Sequence, residues 1–163
     1  MIIELYLARH AESNSLEEDP ERGLSDLGFT NIRKVASFIK YLDICVDSIY
    51  HSGKLRAKQT AYELAKTISA TSGLKAQDGI APMDNIDPMK DEVNKGDKNL
   101  MIVGHLPYLS KLASTLLCGD ENKSVISFQP GCIVKLSRSD QNKNSWSAEW
   151  MINPAICPSN KLD

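Results

Sequence analysis

Three short stretches place chemistry-bearing side chains directly behind apolar runs. LARHAESN (7–14) follows IIELY and carries Arg9 and His10. HSGKLRAKQT (51–60) follows ICVDSIY and carries His51, Ser52 and Arg56. VGHLP (103–107) closes NLMIV and carries Gly104 and His105. Arginine offers planar, bidentate donors that match phosphate oxygens. A histidine ring nitrogen can act as the nucleophile that accepts a phosphoryl group. Phosphoryl transfer asks mainly for in-line positioning and charge stabilisation, so surrounding cations can serve where other enzymes use a metal. Taken singly, each residue has a plainer reading: a solvated loop start for Arg9 and His10, a charged helix face for Arg56, a helix-capping histidine for His105. His51 stays open between a bystander and a residue that helps position the phosphate. Their shared position behind strands is what makes a set of them.

The elements around these stretches must bring them together. Residues 2–8 form an apolar run of strand length. After the polar, turn-rich SNSLEEDPERG, Ser25 is placed to cap a helix from Asp26, with Ile32, Val35, Ala36, Ile39 and Leu42 at helical spacing. Residues 44–50 read as a second strand and 54–68 as a second helix, with Ala57, Ala61, Leu64, Ala65 and Ile68 on one face. LKAQ reads as a short strand, and 79–98 as a loop with at most one helical turn. NLMIV is the clearest buried strand. The helix after GHLP has Leu109, Leu112, Ala113 and Leu116 in phase. Two more strands follow at 132–136 and 146–152, the latter with Trp146, Ala148, Trp150 and Ile152 expected on one face. The tail NPAICPSNKLD reads as irregular.

Alternating strands and helices predict a three-layer α/β/α sandwich. Its sheet is expected to be mostly parallel, with the last two strands as an antiparallel edge. In such open sheets ligands bind beyond the carboxyl ends of the strands, which is where Arg9, His10, His51, Ser52, Arg56, Gly104 and His105 fall. A nucleotide-binding reading of the same sheet fails on its first turn, ARHAES, which is not GxGxxG.

Composition narrows the classes further. The chain has 163 residues, 42% hydrophobic and 25% charged, which suits a single globular domain over 1–163. Nineteen basic against 21 acidic residues give a net charge of −2, no basis for a nucleic-acid partner. Apolar runs are too short for a membrane span, and the N-terminus lacks the features of a signal peptide, so a cytoplasmic location is expected. Cys45, Cys118, Cys132 and Cys157 are widely spaced and read as buried, reduced thiols. No His or Cys pair has metal-ligand spacing.

The three stretches together resemble the histidine phosphatase superfamily, which has the phosphoglycerate mutase-like fold. Arg9, His10 and Ala11 are similar to its Arg-His-Gly signature, with Ala in the third place. Ser52, Arg56, Ala57, Thr60 and Ala61 are similar to its Ser-x-x-x-Arg-Ala-x-x-Thr-Ala run. Gly104 and His105 are similar to its Gly-His. Among its members the chain most resembles the bacterial phosphohistidine phosphatases. ERGLSDLG (21–28) is like their Arg-Pro-Leu-Thr-x-x-Gly turn, with Gly23 in place of Pro, and GHLPYLSKLASTLL is like their Gly-His-x-Pro helix. The resemblance implies that His10 is the phosphorylated nucleophile, and that Arg9, Arg56 and His105 bind the phosphoryl group. Ser13 and Asn14 follow the motif as looser candidates for substrate contacts. The implied enzyme needs no metal or other cofactor, and is expected as a monomer. Its implied partner is a phosphorylated protein of the histidine phosphotransfer type, or else a small phosphorylated substrate.

One departure bears on substrate. Mutase-like relatives carry Leu-x-Glu after the third strand, and the Glu is their general acid and base. Here that place reads Ile80, Ala81, Pro82, with Asp84 and Asp87 nearby but out of register. An alkoxide leaving group needs an acid, whereas an imidazole leaves as a neutral ring once its other nitrogen is protonated. The missing Glu therefore points to phosphohistidine, or another good leaving group, as substrate, and away from mutase activity. Short loops predict an open site that admits a protein-borne group. Two alternatives stand beside this reading: a phosphatase for small monoesters that uses Asp84 or Asp87, and a non-catalytic phosphate-binding domain.

Overall fold

Apolar residues alternate in two registers along the first strand, and each register is buried by a different layer of helices. The computed structural model describes residues 1–159. Its first strand, β1 (Ile2–Arg9), sends Ile3, Leu5 and Leu7 to one face of the sheet and Tyr6 and Ala8 to the other. The same division holds in β6 (Leu100–Gly104), where Leu100 and Ile102 oppose Met101 and Val103. Strands covered on both faces read as continuous apolar runs, which is why these two stood out in the sequence.

The remaining strands are β2 (Cys45–Val46), β3 (Ser48–His51), β4 (Ser69–Ala70), β5 (Leu74–Ala76), β7 (Ile133–Ser139) and β8 (Ser147–Ile152). Six of them form one sheet in the order β5-β3-β6-β1-β7-β8. The first four strands of that order run parallel, and β7 and β8 are antiparallel at the edge. This is the α/β/α sandwich that the sequence predicts. On one face, α1 (Asp26–Ile39) and α2 (Leu55–Ala65) pack through Ile32, Val35, Ile39, Ala57, Ala61 and Leu64. On the other, α3 (Asp87–Lys95) and α4 (Tyr108–Cys118) pack through Met89, Val93, Leu109, Leu112 and Leu116. Ser25 caps α1 as expected, its hydroxyl accepting the Gly28 N–H at 3.0 Å. Among the described residues, no helix is long and apolar enough to cross a membrane.

Four local expectations are corrected. The 44–50 strand is split at Asp47, whose carboxylate accepts the Asn99 N–H at 2.8 Å while its own N–H donates to the Asn99 carbonyl at 2.7 Å. The N-terminal piece, β2, pairs with β4 as a separate two-stranded sheet. Residues 79–98 hold a nine-residue helix rather than a turn. Pro88 sits in its first turn, where no N–H is needed, and Asp87 and Lys95 complement its dipole. In β8 the even positions do not share a face. Leu136 pairs with Ala148 and Lys135 with Trp150, so Glu149 is an extra residue. That bulge reverses the facing of the strand, leaving Trp146 buried against α3 and Trp150 beside Tyr6 on the opposite face. Finally, Cys45 and Cys118 are exposed, and only Cys132 and Cys157 are buried; all four are free thiols. The tail forms a 3-10 turn at Pro154–Ile156, and 160–163 lie outside the described residues.

Candidate active site

The carboxyl ends of β3, β6 and β1 are neighbours in the sheet. Arg9 is in register with Gly104, and His51 with Val103. Three separate stretches of sequence thus open onto one rim. The chain leaving β1 is tied down at once: the His10 N–H donates to the Gly104 carbonyl at 3.0 Å, and the Ala11 N–H to Thr60 Oγ1 at 3.0 Å. Thr60 is the threonine of the α2 motif, so the first and second stretches are fastened to each other. Ala11 is fully buried, and a small side chain fits there in place of glycine. Gly28 allows α1 to approach this segment closely, because a Cβ on it would lie 2.0 Å from the Glu12 carbonyl oxygen.

A cavity of about 440 Å³ opens over this rim. Arg9, His10, Arg56 and His105 all line it, as do Ser13 and Glu12. Asn14 does not line it. Its N–H donates to the Gly23 carbonyl at 2.9 Å, and its side-chain amide to the Leu24 carbonyl at 3.5 Å, so it braces the loop instead. His51 is buried and braces the β3–α2 turn, where its Nδ1 accepts the Gly53 N–H at 3.1 Å. Asp84 and Asp87 are both occupied away from the cavity. Asp84 accepts the Ala81 N–H at 2.8 Å, and Asp87 pairs with Lys90 at 2.6 Å at the exposed start of α3. Pro82, at the place of the Glu in mutase-like relatives, does line the cavity wall. Two charged lining residues, Arg22 and Glu12, are missing from the sequence-derived set. Glu12 was adjacent to the motif, and Arg22 lay inside the ERGLSDLG turn.

The ring of His10 is fixed in one tautomer. Its Nδ1 lies 2.7 Å from the Ala11 carbonyl oxygen, an acceptor, so Nδ1 carries the proton and donates it there. Nε2 is left with its lone pair. Burial pushes the His10 pKa down to about 4; the bond to Ala11 opposes this, and the charges of Arg56, Arg9 and Arg22 add to it. The ring is neutral at pH 7.

His105 is 1% exposed, and its pKa is pushed down to about 3 by burial first, then by His10 where acid has protonated it, and by the charges of Arg56, Lys54 and Arg22. Its Nε2 shares a 2.5 Å hydrogen bond with the Ser52 hydroxyl, while its buried Nδ1 has no partner. A bare ring nitrogen is cheaper to bury than an orphaned N–H, which assigns the proton to Nε2, donating to Ser52 Oγ.

Arg9 is aimed by a bond from Nη1 to the Phe128 carbonyl at 2.8 Å. The Nε groups of Arg9 and Arg56 are buried without a hydrogen-bond partner, and neither guanidinium has a carboxylate within ion-pair distance among the described residues. Burial lowers the pKa of both arginines, and Arg22 adds to this at Arg56. Buried donors and unpaired cations in one cavity are suited to an anion.

Residues 5–81 match the histidine phosphatase superfamily (branch 1). An uncharacterized protein of Picosynechococcus is 32% identical over 126 residues, covering 72% of this chain and 74% of its own. Among solved structures, the protein histidine phosphatase SixA complexed with tungstate superposes with a TM-score of 0.78 at 18% identity, covering 94% of this chain and 98% of that one. A putative phosphohistidine phosphatase SixA of Nakamurella multipartitia gives 0.75 at 20% identity, covering 96% and 98%. The chain belongs to the histidine phosphatase superfamily, and its fold is phosphoglycerate mutase-like. Members of that superfamily are phosphatases or mutases.

Proposed function

We propose that this protein is a phosphohistidine phosphatase that works through a phosphorylated His10. The observation that carries the reading is the pairing of a neutral His10, with Nε2 free, and two unpaired arginines whose Nε groups are buried without partners. In the first step the Nε2 lone pair attacks phosphorus. The P–N bond to the substrate's imidazole breaks, and that ring departs neutral once its other nitrogen carries a proton. In the second step water attacks the phosphorus of phospho-His10, releasing inorganic phosphate and restoring the ring. Arg9, Arg56 and the Nε2–H of His105 hold the phosphoryl oxygens as charge moves onto them. Ser52 Oγ accepts that same N–H and orients it, and a bound phosphate oxygen shares it. Ser13 is a further candidate contact to the substrate.

Two features support phosphohistidine over an ester. Pro82 stands in the cavity wall where an acid would serve an alkoxide leaving group, and Asp84 and Asp87 are engaged elsewhere. The likeness to SixA structures is in accord with this choice. Phosphate release from a histidine-phosphorylated phosphotransfer protein, a phosphoserine peptide and glycerol phosphate, all in EDTA, tests the reading. Preference for the phosphohistidine, undiminished by the chelator, is the expected result. Preference for an ester, or loss of activity in EDTA, would overturn it.

A further inference from the structure

Residues 12–25 leave the sheet after His10 and return to cap α1, and Arg22 stands near the end of that excursion. The two legs of the loop pair at Ser13 and Leu24. Asp19 braces the return leg: its carboxylate accepts the N–H groups of Gly23 at 2.7 Å and Glu21 at 3.0 Å, and its carbonyl accepts the Arg22 N–H at 2.9 Å. From α2, Gln59 Oε1 accepts the Leu24 N–H at 2.7 Å. Within this brace the Arg22 backbone is held at φ 51°. That left-handed conformation is costly for a residue with a Cβ, and such an outlier persists where its surroundings impose it, commonly at functional sites.

The side chain gives the outlier a purpose. Arg22 lines the cavity with Arg9, Arg56 and His10. Its Nε makes one long bond, 3.4 Å to the Asn14 carbonyl, and no carboxylate among the described residues pairs with it. Its charge depresses the pKa of His10, His105 and Arg56 alike. The cavity therefore gathers three arginines, from β1, from α2 and from this loop; Glu12 is the one carboxylate residue on its lining, and among the described residues none of the three arginines is ion-paired.

We propose that Arg22 is a third arginine for the transferred phosphoryl group, binding it from the loop side. The inference rests on the phosphatase reading above. The test is calorimetric titration with inorganic phosphate of the wild type, Arg22→Gln and Arg22→Gly, with thermal unfolding of each. Both variants are expected to lose about tenfold in phosphate affinity. Glycine accepts φ 51° without strain, so Arg22→Gly should hold or raise Tm while it loses affinity. A merely structural arginine would not divide the two readouts in that way. Wild-type affinity in both variants, in a protein that binds phosphate and hydrolyses phosphohistidine, would overturn this inference alone. A wild type that neither binds phosphate nor releases it from any substrate would overturn the phosphatase reading and this inference with it.

Discussion

His10 and His105 face one another with ring centroids 5.1 Å apart and planes inclined by 51°. The two rings have divided duties. His10 gives its Nδ1 proton to Ala11 and keeps Nε2 bare, while His105 keeps its Nε2 proton on Ser52. One presents a lone pair and the other a donor, and both line the same cavity. His10→Ala is expected to lower turnover by about a thousandfold or more, as loss of a nucleophile does elsewhere. The fold should persist, because the segment is held through backbone bonds to Gly104 and Thr60. Rates beside circular dichroism check this; substantial residual turnover would remove His10 from the nucleophile's role.

Ser52 holds the donor of that pair in place. Ser52→Ala is expected to reduce kcat about tenfold, since an unmade bond to a buried polar group costs roughly 1–3 kcal/mol. Ser52→Thr keeps the hydroxyl and should retain most of the rate. Steady-state kinetics on both variants check it, and equal losses in the two would point to crowding rather than to the hydrogen bond.

All three histidines of the chain are held below their ordinary pKa, chiefly by burial: His10 to about 4, His105 to about 3, and His51 in the same direction. The unfolded chain takes up protons near pH 6.5 that the folded chain refuses. Stability is therefore full above pH 6.5 and declines as pH falls through 6.5 towards 4 and 3. Urea unfolding at pH 7.5 and 5.5 should show a loss at the lower pH of about 1 kcal/mol per refusing histidine. His105→Gln should flatten that dependence. An unchanged midpoint between the two pH values would contradict the assigned neutral rings.

Pro82 stands where the family resemblance puts the acid of mutase-like relatives. Pro82→Glu introduces a carboxylate into the wall of the cavity that His10 and His105 also line. The variant is expected to gain at least tenfold on glycerol phosphate, the lower end of what general acid catalysis contributes, with little change on phosphohistidine. Parallel assays of the two substrates check it. No gain on the ester would mean that leaving-group acidity does not separate them here.

Much of this was legible in the sequence because it depends on position along a strand. Arg9, His10, Arg56 and His105 follow strands or open helices, so their convergence follows from a parallel sheet alone. The residues that escaped are governed by contacts distant in sequence. Arg22 enters the cavity through a loop braced by Asp19 and Gln59, and no periodicity records that. The helix at Asp87–Lys95 escaped because Pro88 reads as a breaker where it is an initiator, and because only Met89 and Val93 mark its buried face. Asn14 looked like a site residue through its nearness to His10, but the loop turns its amide to the backbone of Leu24.

The bulge at Glu149 places the two tryptophans of the chain in different layers. Trp146 is enclosed near α3, with its indole N–H donated to Asn94 at 2.7 Å; Trp150 lies 5.9 Å from the Tyr6 ring on the side of α1 and α2. Each is thus a fluorophore for its own half of the sandwich. Trp146→Phe leaves a reporter on the layer of α1 and α2, and Trp150→Phe leaves one on the layer of α3 and α4. Superimposable denaturation curves from the two single-tryptophan proteins would show the layers melting as one cooperative unit, and displaced curves would show which of them lets go first.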